Sequence, residues 1–110
     1  GNDDEVAGVL IDLARLETAP RSGALADQLV TGLVAAGATL YNQPRLEAGF
    51  SVLKAADIPS VLLELGFLSD SGDLENLQSA DWRARVQEGI RDAMLVWALE
   101  DAAVSALLRR

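Results

Sequence analysis

The stretch IPSVLLELGFLSD, residues 58–70, is the main basis for predicting the fold from the sequence. Pro59 favours an extended conformation at the preceding residue, and a proline is tolerated at the start of a strand. Residues 61–65 are apolar without alternation, apart from Glu64. A strand that is apolar on both faces is typical of a central strand with helices on each side. We therefore predict a buried strand here, within an α/β fold.

Glu64 is the one charged residue in this predicted strand. A carboxylate that is desolvated without a partner costs several kcal/mol, so its presence needs a reason. It could pair with an arginine or cap a neighbouring loop, as most buried charges do. It could also lie in an active site, because open α/β sheets bind ligands beyond the carboxyl ends of their strands. Position alone leaves both explanations open.

The N-terminal third of the chain has the pattern of a long helix. Asn2 or Asp3 can cap its start, apolar residues then recur at helical spacing, and Gly37 closes the pattern. Pro20 removes an amide donor within this region. The pattern therefore predicts either one long bent helix or two abutting helices.

The elements predicted after this helix are short, except for the C-terminal helix. Two short strands are predicted, at 39–41 and 50–53, before the strand that contains Glu64. A helical turn is predicted from Asp73 to Leu77, and Ser79 or Asp81 can cap a C-terminal helix. The predicted architecture is thus a long N-terminal helix, short central strands that form part of a sheet flanked by helices, and a C-terminal helix.

The composition sets limits on function. A chain of 110 residues is the size of one domain, and we assign residues 1–110 to a single domain. The net charge of −8 argues against nucleic acid as a partner, which requires a basic surface. The chain has no cysteine and no histidine, so thiol catalysis and a histidine-activated serine are excluded. No apolar run reaches the roughly 20 residues of a membrane span.

Other candidate sites have simpler structural explanations. The acids of the NDDE stretch, residues 2–5, suit the positive end of a helix. The acidic cluster of Asp70, Asp73 and Glu75 lacks the calcium-loop spacing and fits helix capping. Lys54, the only lysine, is interpreted as a solvated strand end. Trp82 and Trp97 are expected in core packing rather than in sugar stacking.

The stretch AGFSVLKAADIPSVLLELGFLSD, residues 48–70, resembles the zinc-dependent N-acetylmuramoyl-L-alanine amidases, and the periplasmic cell-division members most of all. The resemblance extends to residues 3–18, 21–30 and 73–90, so it covers nearly all of the chain up to about residue 100. It implies a peptidoglycan hydrolase that cleaves the amide between N-acetylmuramic acid and the L-alanine of the stem peptide. It also implies a phosphorylase/hydrolase-like α/β fold and a periplasmic location.

Within the resembling motif, Glu64 occupies the position of the catalytic acid/base. The zinc ligands of the family are two histidines and a glutamate upstream of the matched region, so this chain is expected to bind no zinc itself. The resemblance therefore implies that residues 1–110 are the C-terminal part of an amidase catalytic domain, whose whole protein binds Zn²⁺. An activator protein is implied as a partner of the cell-division relatives.

Two hypotheses about function follow. In the first, the chain is part of a working amidase and Glu64 is its acid/base. In the second, it is a non-catalytic module derived from an amidase that binds or scaffolds. For the isolated chain we also predict a homo-oligomer, because an uncovered strand edge and helix face favour association.

Overall fold

The computed structural model describes residues 2–39 and 57–108, and these residues form three helices. Helix α1 is Asn2–Ala35, α2 is Ser71–Gln78 and α3 is Ala80–Leu108. No strand occurs in the described part of the chain. The predicted α/β fold is therefore wrong for the described residues, which are helical or irregular.

The stretch that predicted the central strand, residues 58–70, has no regular secondary structure. A strand requires neighbouring strands to pair with its backbone N–H and C=O groups. In the described residues this stretch packs beside helices instead. The run is apolar as predicted, but apolar side chains do not pair the backbone. Without a neighbouring strand among the described residues, the run does not form a strand.

Helix α1 is a single helix that continues through Pro20, which confirms one helix rather than two abutting helices. It ends at a glycine, as predicted. Gly37 has a φ of +85°, the left-handed conformation that favours glycine. The Ala38 N–H donates to the Leu33 carbonyl, and the Gly37 N–H to the Val34 carbonyl, both at 3.0 Å. These two hydrogen bonds form a Schellman motif, which satisfies the last carbonyls of the helix.

Helices α2 and α3 are separated by Ser79 alone. Its hydroxyl accepts a hydrogen bond from the Trp82 N–H at 3.2 Å. Its carbonyl accepts from the Arg83 N–H at 3.0 Å, the first hydrogen bond of α3. Ser79 is thus the N-cap of α3, so it, rather than Asp81, starts the C-terminal helix.

Helices α1 and α3 pack against each other in opposite directions. Arg21, near the middle of α1, contacts Asp101 near the end of α3, whereas Gly32 lies beside Gly89 nearer its start. At the glycine crossing there is no room for side chains: a Cβ at Gly89 would lie 2.7 Å from the Gly32 carbonyl oxygen. The two backbones therefore touch directly at this point.

A core lies between the helices. Among the residues whose side chains the structure describes, the buried apolar ones are Leu25, Leu29, Leu33, Val86 and Ala93. Val61, Ile90 and Trp97 pack against part of this cluster and are partly buried. In the described part of the chain, no helix has an apolar stretch sufficient for a transmembrane span.

Several predicted features lie outside the described residues. They are the strand at 50–53, most of the strand at 39–41, and the solvated position of Lys54.

Candidate functional site

The segment that contains Glu64 is attached to helix α1 at its start. The Ser60 N–H donates a hydrogen bond to the Ser22 hydroxyl at 2.9 Å. The next residue, Val61, packs against the core cluster between α1 and α3. A side chain of α1 therefore fixes the backbone four residues before Glu64.

The same segment is attached to helix α2 at its end. Asp70 is the N-cap of α2, and its Oδ1 accepts from the Asp73 N–H at 2.9 Å. The Asp73 side chain in turn accepts from the Phe67 N–H through Oδ2 at 3.0 Å. Helix capping thus explains Asp70, as predicted, and the Asp73 side chain also holds the chain three residues after Glu64.

Glu64 lies between these two attachments and is exposed. The prediction that it is desolvated within a buried strand is wrong. Its neighbours on the segment are exposed too: Leu62 is 48% and Leu65 is 43% accessible. Burial of this run needs a covering layer on each face, and these exposed positions lack one.

No described residue forms a hydrogen bond or an ion pair with the Glu64 carboxylate. In the part of the chain that the structure describes, it neither pairs with an arginine nor caps a loop. A solvent-accessible carboxylate on a backbone held at both ends can accept a proton from water and return it to another group.

A cavity of about 40 Å³ lies beside Glu64. Glu64 and six other residues line it: Leu33, Ala38, Thr39, Leu65, Trp82 and Val86. This volume suffices for a water molecule or a group of methyl size. Trp82 therefore lies at the candidate site. The sequence analysis expected this residue only in core packing.

Trp97 lies elsewhere and has a structural partner. Its indole Nε1 donates to the Arg21 carbonyl of α1 at 2.9 Å, and its ring packs against the core cluster. Sugar stacking by a surface formed from both tryptophans is not supported by this arrangement, because Trp97 uses its polar atom within the helix pair.

The described residues do not fit a zinc site. Groups of three or more histidine, cysteine, aspartate or glutamate side chains that could hold a metal do not occur among them. The whole sequence has neither histidine nor cysteine. Because zinc in proteins is held mainly by these two residue types, we assign no reaction step to a metal held by this chain.

A second polar contact joins the middle of α1 to the C-terminal part of α3. Arg21 donates to Asp101 twice, from Nε to Oδ1 at 2.7 Å and from Nη2 to Oδ2 at 2.8 Å. These hydrogen bonds hold the pKa of Asp101 below its usual value, against the opposing effect of burial. The same contact raises the pKa of Arg21. The sequence did not indicate this pair, because its members are 80 residues apart.

Comparison with known proteins identifies the family, which the geometry of the site does not. The family model described as N-acetylmuramoyl-L-alanine amidase matches residues 2–95. The "Probable N-acetylmuramoyl-L-alanine amidase AmiB" of Haemophilus influenzae is 30% identical over 96 residues, which are 87% of this chain and 22% of that protein. The "N-acetylmuramoyl-L-alanine amidase AmiC" of Escherichia coli O6:H1 is 46% identical over 44 residues, which are 40% of this chain and 11% of that protein.

The chain therefore spans less than a quarter of the length of either relative. No solved structure matches it significantly. The family match nevertheless covers most of the chain, including the Glu64 segment and all of the helix crossing. The chain belongs to the N-acetylmuramoyl-L-alanine amidase family.

Proposed function

We propose that this chain is the C-terminal part of the catalytic domain of a peptidoglycan amidase, and that Glu64 is its acid/base. The bond cleaved is the amide between N-acetylmuramic acid and the L-alanine of the stem peptide. The family match supports the reaction class. The observation that carries the assignment of Glu64 is an accessible carboxylate without a described partner, on a segment attached at both ends.

The chemistry assigned to Glu64 is two proton transfers. Its carboxylate accepts a proton from the water that attacks the amide carbonyl carbon. As the C–N bond breaks, it gives this proton to the nitrogen of the leaving alanine. The immediate products are a carboxylic acid on the muramic acid and an amine on the stem peptide. The acid's proton then passes to the amine, which gives a carboxylate and an ammonium group, so atoms and charge balance.

The remaining parts of this proposal concern the whole protein. Zinc is bound there by residues outside this chain, which lacks the histidines that usually bind it. The location is the periplasm, where peptidoglycan is accessible, and cell division is the process served. An activator protein is a proposed partner. The similarity to the two amidase relatives supports the location. Zinc, cell division and the activator rest on the resemblance of the sequence to the family.

The test is Glu64→Gln in a protein extended upstream to include the metal ligands. Glutamine keeps the size of the side chain but cannot accept a proton. We expect the rate of peptidoglycan cleavage to fall by a factor of about 10² to 10⁴, the usual contribution of an acid/base group. Glu88→Gln, at an exposed position on α3, is the control. Cleavage by the Glu64 variant at nearly the normal rate would refute the assignment.

A second candidate function is a non-catalytic module that binds or scaffolds. The observation in its favour is that the sequence contains no histidine. Metal analysis and a cleavage assay on the protein extended upstream separate the two functions, because the 110-residue chain is expected to bind no zinc under either. Stoichiometric zinc together with turnover would exclude the non-catalytic module.

A further inference from the structure

Asp73 forms two contacts: its N–H donates to the Asp70 side chain, and its carboxylate accepts from the Phe67 N–H. The capping of α2 requires only the first. Capping needs the Asp70 side chain, which accepts from the Asp73 N–H. In a capping box the residue at the Asp73 position would reach back to the N–H of the cap residue itself. Here its Oδ2 reaches further, to the N–H of Phe67. The side chain therefore holds the Glu64 segment rather than only the start of its own helix.

The approach of Asp73 to this segment is close and depends on a glycine. A Cβ at Gly66 would lie 3.0 Å from the Cβ of Asp73 and 3.2 Å from its carboxyl carbon. Such spacing is tighter than ordinary van der Waals contact, so a side chain at Gly66 would displace the carboxylate. Gly66 thus provides the space that the Phe67 hydrogen bond needs, two residues after Glu64.

We propose that Asp73 is a positioning residue for Glu64: by holding the Phe67 N–H, its carboxylate sets the place of the Glu64 side chain relative to the substrate. This inference rests on the proposed function. Ser22 holds the segment on the other side, at Ser60, so the Glu64 segment is attached at both ends. Because misplacement of a catalytic group by about 1 Å can cost 10²-fold in rate, loss of one attachment should reduce turnover.

The experiment compares Asp73 with Asp70, whose side chain caps the same helix by accepting from the Asp73 N–H. In the described hydrogen bonds Asp70 contacts Phe67 through its backbone N–H, which donates to the Phe67 carbonyl at 3.1 Å and remains after substitution by alanine. Asp73→Ala, Asp73→Asn and Asp70→Ala are made in the protein extended upstream. We expect kcat of Asp73→Ala to fall at least tenfold, with KM changed less. Asp73→Asn retains an oxygen acceptor for the Phe67 N–H and should restore most of kcat. Asp70→Ala should lower stability and leave kcat within about twofold.

A second measurement uses the 110-residue chain and does not depend on activity. Amide hydrogen exchange at Phe67 should be faster in Asp73→Ala than in the unaltered chain, and little changed in Asp70→Ala. Equal losses of kcat in Asp73→Ala and Asp70→Ala, or unchanged exchange at Phe67, would overturn the positioning role. If Glu64→Gln is active, the proposed function fails whatever the Asp73 variants do, so the two failures are distinguishable.

Discussion

At the scale of single residues, the Arg21 and Asp101 pair is the best-defined polar contact between α1 and α3. Both nitrogen–oxygen distances are under 3 Å, and the Asp101 side chain is only 15% accessible. The Arg21 side chain is 39% accessible, so solvent screens part of the attraction. The pair therefore contributes modestly to stability, and its contribution should depend on pH.

The sign of that dependence follows from the lowered pKa of Asp101. A carboxyl whose pKa is lower in the folded state stabilises the protein above its unfolded pKa, about 3.9 for aspartate. This stability is lost as the pH falls through the lower, folded pKa. The raised pKa of Arg21 has no effect near neutral pH, because arginine is charged in both states there.

We predict that Asp101→Asn lowers the free energy of unfolding by about 0.5 to 1 kcal/mol at pH 7. The difference from the unaltered chain should shrink as the pH falls below about 4. Urea unfolding at pH 7 and at pH 3 measures both. Asp92→Asn is the control, since Asp92 pairs with Arg91 at 3.1 Å where both side chains are more than 60% accessible. A loss that is the same at the two pH values would contradict the assignment.

At the scale of elements, the closest contact between α1 and α3 is the crossing at Gly32 and Gly89. A Cβ at Gly32 would overlap the Gly89 carbonyl oxygen, and one at Gly89 would lie 3.1 Å from the Ala36 Cβ. Both obstacles include rigid helix backbone, which cannot move aside as a flexible side chain could. The packing distance between the helices thus depends on two residues without side chains.

We predict that Gly89→Ala lowers the free energy of unfolding by about 1 to 3 kcal/mol through overpacking. The higher helix propensity of alanine, about 1 kcal/mol, opposes this effect and is outweighed by it. Gly72→Ala in α2 is the matched control. Its Cβ would meet only the Asp70 carboxylate oxygen, at 3.3 Å, so its stability should change little. Thermal or urea unfolding decides, and a stabilised Gly89→Ala would refute the close crossing.

At the scale of the whole molecule, much apolar surface remains accessible. On α3, Met94 is 51%, Leu95 is 58% and Leu99 is 75% accessible. The Glu64 segment adds Phe67 at 51% and Leu68 at 73%. Exposed apolar groups in such number favour association, because burial of apolar area against a partner removes it from water.

The homo-oligomer predicted from the sequence therefore stays a prediction, with this surface as its physical basis. Light scattering on the isolated chain should give about twice the monomer mass at micromolar concentration. A Met94→Asp, Leu95→Asp double variant should shift the equilibrium toward the monomer. Ala84→Asp, also an exposed position on α3, should not. A monomer at all concentrations would contradict the prediction.

The sequence by itself determined the end of α1 and the family, limited the cap of α3 to Ser79 or Asp81, and indicated that the acids around Asp70 serve in capping. These helix signals are readable because each depends on hydrogen bonds within about five residues. The motif around Glu64 indicated the amidase family, which the family match confirms. Its catalytic role remains a proposal.

Only the tertiary structure decided how the stretch at 58–70 is placed. Its apolar run predicted a buried strand, but a strand needs paired backbones and burial needs layers on both faces, and neither is a local property. Three contacts join residues that are distant in sequence: the attachment at Ser22, the glycine crossing and the Arg21–Asp101 pair. The attachment at Asp73 is local, but the sequence explained this residue equally well by helix capping alone. Such contacts depend on where the helices lie in space, which spacing along the chain does not encode.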